Sequence, residues 1–182
     1  AVVLIITVLA LPLAVWLNEK NTKLNRLLQA AIFCPHVVSI VSISLIWLWM
    51  MEPNFGLFNY LLRKMGLPTS AWLSGSSTAM PSVILVSVWK SVGYDTLIFL
   101  AALQGVSASL YEAARMDSAN KVAVFFKITL PMISPQLFFT LIIRTISSFK
   151  VFDTVRILTQ GGSNTATTTL VYSIHTEALL NL

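Results

Sequence analysis

Apolar residues run along this chain in four long stretches, and the charged residues gather between them. The stretches cover residues 1–17, 27–50, 80–104 and 132–150, and each reads as a membrane-spanning helix. At about 1.5 Å of rise per residue, the first reaches only about 26 Å of a ~30 Å hydrocarbon core. It starts in mid-run, and the chain stops at Leu179-Leu180-Asn181-Leu182 without a polar tail. The expectation is a piece of a longer membrane protein, truncated at both ends. Pro12 predicts a kink in the first helix. The intervening segments are a polar turn over 18–23, a loop over 51–79 with a short helix inside it, a charged loop over 105–131, and an outer segment over 151–182.

Composition agrees with the pattern. Of 182 residues, 56% are hydrophobic and only 10% charged, against about 25% charged in soluble domains. Mean hydropathy is +0.80. The fold class expected is therefore all-α, a polytopic transmembrane helical bundle with no soluble domain. The net charge of +5 comes from scattered residues, with no basic stripe for nucleic acid; anionic lipid head groups account for it. Cys34 is the single cysteine, so no disulfide forms within the chain. Cys34 and His36 stand two apart, a spacing that does not face both side chains one way on a helix. No metal site and no cofactor are called for.

Three charges lie well inside predicted spans, away from their ends: Lys90, Asp95 and Arg144. A central charge costs ~2.5–3.5 kcal/mol, and each apolar neighbour returns only ~0.3–0.6. The third span is thus marginal alone, and its charged residues belong in a bundle interior or a water-filled path. Lys90 and Asp95 lie about 140° apart round a helix and do not pair with each other. Lys90 either borders a path or snorkels to an interface. Arg144 is either the counter-ion of Asp95 or a second group on the same path.

The loop over 105–131 holds the densest chemistry. Ser109 three residues before Glu112 reads as a capping box, opening a short helix over about 110–120. Ala113, Ala114 and Ala119 leave that helix a surface another body can approach closely. On these residues alone, an interfacial linker helix and a docking helix are both open readings.

Glu112-Ala113-Ala114, Asp117, Ala119, Phe125, Ile128 and Leu130-Pro131 resemble the EAA signature of ATP-binding-cassette importer permeases. Two further runs are similar to sugar permeases of the maltose and glycerol-phosphate type. One is Glu52-Pro53-Asn54-Phe55-Gly56-Leu57-Phe58-Asn59; the other is Phe149 to Asp153 with Leu158-Thr159-Gln160-Gly161-Gly162 and Thr169 to Tyr172. The chain departs from the family pattern at Ser118, where Gly is usual, and at Ser163, where Pro is usual. Gly after Asp117 would take a left-handed turn at no steric cost.

The resemblance implies a permease subunit that forms part of the path for a sugar or related small solute. Glu112, Ala113, Ala114, Asp117, Ser118 and Ala119 would then be the contact with an ATPase subunit. The implied partners are ATPase subunits, a second permease subunit, an extracytoplasmic solute-binding protein and the lipid of a bacterial or archaeal cell membrane. The chain is not expected to be an enzyme: it has no GxxxxGK[ST] to cradle nucleotide phosphates, and hydrolysis falls to the partner.

Loop charges orient the chain. Lys20, Lys23, Arg26, Arg115, Lys121 and Lys127 lie on one side, and Arg63, Lys64, Lys150 and Arg156 on the other. The bias places the 105–131 loop in the cytoplasm. A secondary transporter or channel is the rival reading; it would use the same intramembrane charges and have no need of the 105–131 helix. An intramembrane enzyme would need paired catalytic groups at depth, and none stand at usable spacing.

Overall fold

In a computed structural model, residues 2–18, 23–149 and 158 are described. The expected outer segment over 151–182, apart from residue 158, lies outside them, as does most of the 18–23 turn. Every regular element among the described residues is helical, so the all-α membrane class holds. The elements are α1 (Val2–Asn18), α2 (Lys23–Val37), α3 (Ile40–Met50), α4 (Leu57–Lys64), α5 (Ala79–Gln104), α6 (Ala108–Met116), α7 (Lys121–Val124) and α8 (Leu130–Phe149). A single 3-10 turn, Trp72–Ser74, precedes α5, and a π-helical turn, Phe125–Thr129, joins α7 to α8.

Two differences from the sequence reading have local causes. Over 27–50 the backbone forms two helices, with a break at Val38 and Ser39. Pro35 has no N–H to donate and crowds the carbonyl four residues back, which weakens the helix there. The charged loop is also shorter than 105–131, because helix resumes at Lys121 and runs unbroken to the end of α8. Pro131 would crowd the carbonyl of Lys127 in a regular α-turn, and the wider π turn at that point gives it room.

The run from Lys121 to Ser148 and α5 are each long and apolar enough to cross a membrane; α2 with α3 makes a third if the broken pair counts as one span. Helix α1 is apolar but shorter.

The chain forms two compact units. One comprises residues 3–36 and 91–145. Its core joins Ala10, Ala14 and Leu17 of α1 to Phe99, Leu100 and Leu103 of α5 and Ile133 of α8. The α1 residues recur at helical spacing on one stripe, and the fully buried Ala10 and Ala14 allow helix backbones to approach. Gly93 does the same for α5, since a Cβ there would overlap the carbonyl of Ile32 on α2. Outward, α8 shows Phe138, Phe139, Ile142 and Ile143, a surface suited to hydrocarbon or neighbouring helices.

The other unit is built mainly from residues 37–90. Ile43, Trp47 and Met51, four apart along and just past α3, meet Val83 and Val86 of α5 and Leu73. Trp47 is ringed by Phe58 and Trp89, with centroids at 5.6 and 5.4 Å. The 51–78 loop is tied down by one buried side chain. Asn59 Nδ2 donates to the carbonyls of Pro53 and Ser70, each at 2.8 Å. Its Oδ1 accepts from the Ser70 N–H at 3.1 Å and from Trp72 Nε1 at 2.8 Å.

Candidate functional site

Helix α6 follows α5 after a tight connection, and this moves its start. The N-cap is Ser107, not Ser109, and no side chain caps the helix. Ser107 and Ser109 instead share a hydroxyl hydrogen bond at 2.8 Å. Ser109 falls inside the first turn and Glu112 a turn further on, so the expected capping box does not form.

The end of α6 is better defined. Ser118 takes φ +53°. The N–H of Ala119 donates to the carbonyl of Ala114 at 3.0 Å, and that of Ser118 to the carbonyl of Arg115 at 3.1 Å. This is a Schellman ending, with serine at the left-handed position where glycine is favoured. The chain therefore makes the sharp turn despite the substitution, at a steric cost of roughly 1–2 kcal/mol. Two residues later Asn120 caps α7, its Oδ1 accepting from the Ala123 N–H at 2.7 Å.

The six loop residues singled out by sequence divide here. Ala114 faces inward and is only 6% exposed, whereas Glu112, Ala113, Asp117, Ser118 and Ala119 are exposed. Beside them Met116 is 86% exposed, an apolar side chain that sequence reasoning passed over. Beside α6 lies a cleft of about 670 Å³, whose lining includes Tyr111, Glu112, Arg115, Ala119, Lys121 and Thr129. Tyr111 and Thr129 share a hydroxyl hydrogen bond of 3.3 Å across its wall.

Of the intramembrane charges, the fold brings two together. Asp95 on α5 is fully buried, and Arg144 on α8 is 15% exposed. Arg144 Nε donates to both carboxylate oxygens of Asp95, at 2.8 and 2.9 Å, and its terminal nitrogen donates to one of them at 2.6 Å. Such charge-assisted forks are the strong class of hydrogen bond. The Arg144 guanidinium also lies 5.2 Å from the ring centre of Tyr94, within cation–π range. Tyr94 stacks on His36 at 4.4 Å, and His36 on Phe33 at 5.7 Å.

Tyr94 and His36 are thus members of the cluster that sequence analysis did not pick out. The one signal available was Tyr94 standing next to Asp95 in the sequence. Lys90 is engaged elsewhere, its ammonium donating to the Val38 carbonyl at 2.7 Å, where α2 has ended. Cys34 is exposed, and no cluster of metal-ligating side chains occurs among the described residues.

Comparison with known proteins bears on these features together. The family model described as "Binding-protein-dependent transport system inner membrane component" matches residues 6–178. The chain is 39% identical over 163 residues to the sn-glycerol-3-phosphate transport system permease protein UgpA of Yersinia pseudotuberculosis, covering 87% of this chain and 54% of that protein. It is 37% identical over 164 residues to the trehalose/maltose transport system permease protein MalF of Thermococcus litoralis, covering 90% and 55% respectively. The chain spans about half the length of these curated relatives. Among solved structures, it superposes on a bacterial ABC transporter involved in the import of the acidic polysaccharide alginate, with TM-score 0.84 and 26% identity, covering 99% of this chain and 66% of that one. A bacterial alginate ABC transporter in complex with an alginate pentasaccharide-bound periplasmic protein matches at TM-score 0.85 and 26% identity, with the same coverage.

Proposed function

The chain belongs to the family of binding-protein-dependent transport system inner membrane components, and from that premise we propose that it is part of a permease subunit of an ATP-driven importer for a sugar or related small solute. The observation that carries the reading is α6 with its turn. It is a short helix held at a fixed angle by a Schellman ending, with Ala113, Met116, Asp117 and Ala119 turned outward. A helix of this length has little stability of its own, and its exposed small and apolar side chains suit a cleft in a second protein. That protein is the ATPase subunit, on the cytoplasmic side, with Glu112, Ala113, Asp117, Ser118 and Ala119 at the contact and Ala114 behind it as support.

Within the bundle, Asp95, Arg144 and Lys90 border the translocation path, because charged groups at that depth are costly against lipid. Asp95 and Arg144 do so as a neutral unit. A second permease subunit and an extracytoplasmic solute-binding protein complete the machine. Relatives named for glycerol phosphate and for trehalose and maltose support a polyhydroxylated cargo.

Uptake of a labelled sugar panel by the full complex in vesicles tests this directly. Uptake that requires ATP and the solute-binding protein is the expected result. Uptake at an equal rate without ATP would transfer the chain to the secondary-transporter class.

A further inference from the structure

The 51–78 loop presents a surface that neither the path nor α6 accounts for. Around α4 at 100° per residue, Phe58, Asn59 and Leu62 turn inward. Leu57, Tyr60, Leu61 and Lys64 share the outer arc and are exposed. Phe55 before the helix and Met65 after it are 70% and 72% exposed, and Leu67 beyond them is exposed too. These side chains are not outward through a loosely held loop. Asn59 pins the backbone from inside. Glu52 accepts from the N–H groups of Asn54 and Phe55, each at 2.7 Å, and so fixes the turn that carries Phe55 outward.

We infer that this face of α4 lies on the outer surface of the lipid bilayer, with Leu57, Leu61, Met65 and Phe55 dipping below the head groups and Lys64 reaching their phosphates. Three observations favour lipid over a protein partner. The loop is anchored at both ends to helices with apolar exteriors, showing Leu45, Ile46 and Trp49 on α3 and Leu85 and Trp89 on α5, so the loop that carries α4 begins and ends where those surfaces leave hydrocarbon. The charges also match: between residues 51 and 79 the only acidic residue is Glu52, which its own backbone engages, while Arg63 and Lys64 are basic. Arg63, though exposed, is engaged by the loop's own backbone, donating to the carbonyls of Asn59 and Asn54 at 3.2 and 2.7 Å, which leaves Lys64 as the group to meet an anionic surface. Finally, an apolar arc flanked by a snorkelling cation and an aromatic hydroxyl is the pattern of interfacial helices.

The test uses the full transporter complex with Cys34→Ser, carrying a nitroxide at Leu61→Cys, Met65→Cys or Thr69→Cys in turn. It is reconstituted in vesicles of phosphatidylethanolamine and phosphatidylglycerol, and collision with oxygen is compared with collision with a water-soluble nickel chelate. The oxygen-to-nickel ratio should be several-fold higher at 61 and 65 than at 69, with or without the solute-binding protein. Lys64→Glu should lower the ratio at 61 in these vesicles, but not in vesicles of phosphatidylcholine alone. A ratio at 61 and 65 equal to that at 69 would overturn the proposal. Loss of access only when the solute-binding protein is added would assign the face to that protein. Access denied to both reagents throughout would assign it to a neighbouring subunit.

Discussion

The loops over residues 51–78 and 105–120 each carry one short helix between long apolar ones, yet they treat their polar groups in opposite ways. In the first, Asn59 is buried and all four of its bonds stay within the loop. Glu52 is spent on its own turn. In the second, α6 has no side-chain cap, and Glu112, Asp117 and Ser118 face outward. The intramembrane pair Asp95–Arg144 follows the first pattern at greater depth. Groups that close on one another hold the fold, and groups left open are available to a partner. Changes at the closed sites should therefore read out as stability, and changes at the open site as binding.

The largest effect is expected at the closed pair. Asp95→Leu leaves the Arg144 guanidinium without its carboxylate, and breaking such a pair costs about 3–5 kcal/mol. Thermal unfolding of the purified complex in detergent should show the loss, and the double change Asp95→Leu with Arg144→Met should recover most of it. If the double variant lost the sum of the two single losses, the pair would not be a unit.

That pairing marks where sequence reasoning ended. Apolar runs and the loop motif are local, and they were legible from period, charge and spacing. Asp95 and Arg144 are 49 positions apart; their charges named each other as candidate partners, but pairing and separate places on one path were equally open until the fold brought the two together. Asn59 was less legible still. It is one amide in an amphipathic helix, and its partners lie at residues 53, 70 and 72, placed by a turn whose geometry no pattern in the chain announces. The helix start was misread for a different reason. Ser107 and Ser109 are both competent caps, and the tight end of α5 at Gly105 and Val106 decided between them.

Next in size is the open site. Ala113→Asp puts an unpaired charge into the proposed ATPase contact, and ~3 kcal/mol at 1.4 kcal/mol per tenfold would weaken docking more than a hundredfold. Because Ala113 is exposed, membrane abundance and thermal stability should stay normal while ATPase co-purification and uptake are lost. Wild-type recovery of the ATPase would place the contact elsewhere.

Asn59→Ala supplies the converse. It strips partners from the Pro53 and Ser70 carbonyls, the Ser70 N–H and the Trp72 indole at once. Each buried group left unmet costs ~1–3 kcal/mol, reduced where water enters, so a net loss of about 2–3 kcal/mol is expected. Limited proteolysis should cut the 51–78 loop faster, with ATPase recovery unchanged. A fall in ATPase recovery with no change in proteolysis would erase the distinction between the two loops.

The smallest effect tests the open loop from within. Ser118 occupies the left-handed region at φ +53°, which costs a residue with a Cβ roughly 1–2 kcal/mol. Ser118→Gly removes that cost but gives the unfolded chain more freedom, a penalty of about 0.5–1 kcal/mol. The difference leaves a gain of about 0.5–1 kcal/mol, confined to α6 and its turn. Hydrogen exchange at the Ser118 and Ala119 amides, which hold the Schellman ending, should slow by about two- to fivefold at that energy. Exchange at the Trp72 indole and the Ser70 amide should not move. The same gain ought to appear as slightly tighter ATPase binding, since a helix already fixed at its docking angle loses less freedom on contact. Slower exchange with weaker binding would mean that the serine hydroxyl itself meets the partner, so that the strained turn carries a contact glycine cannot supply.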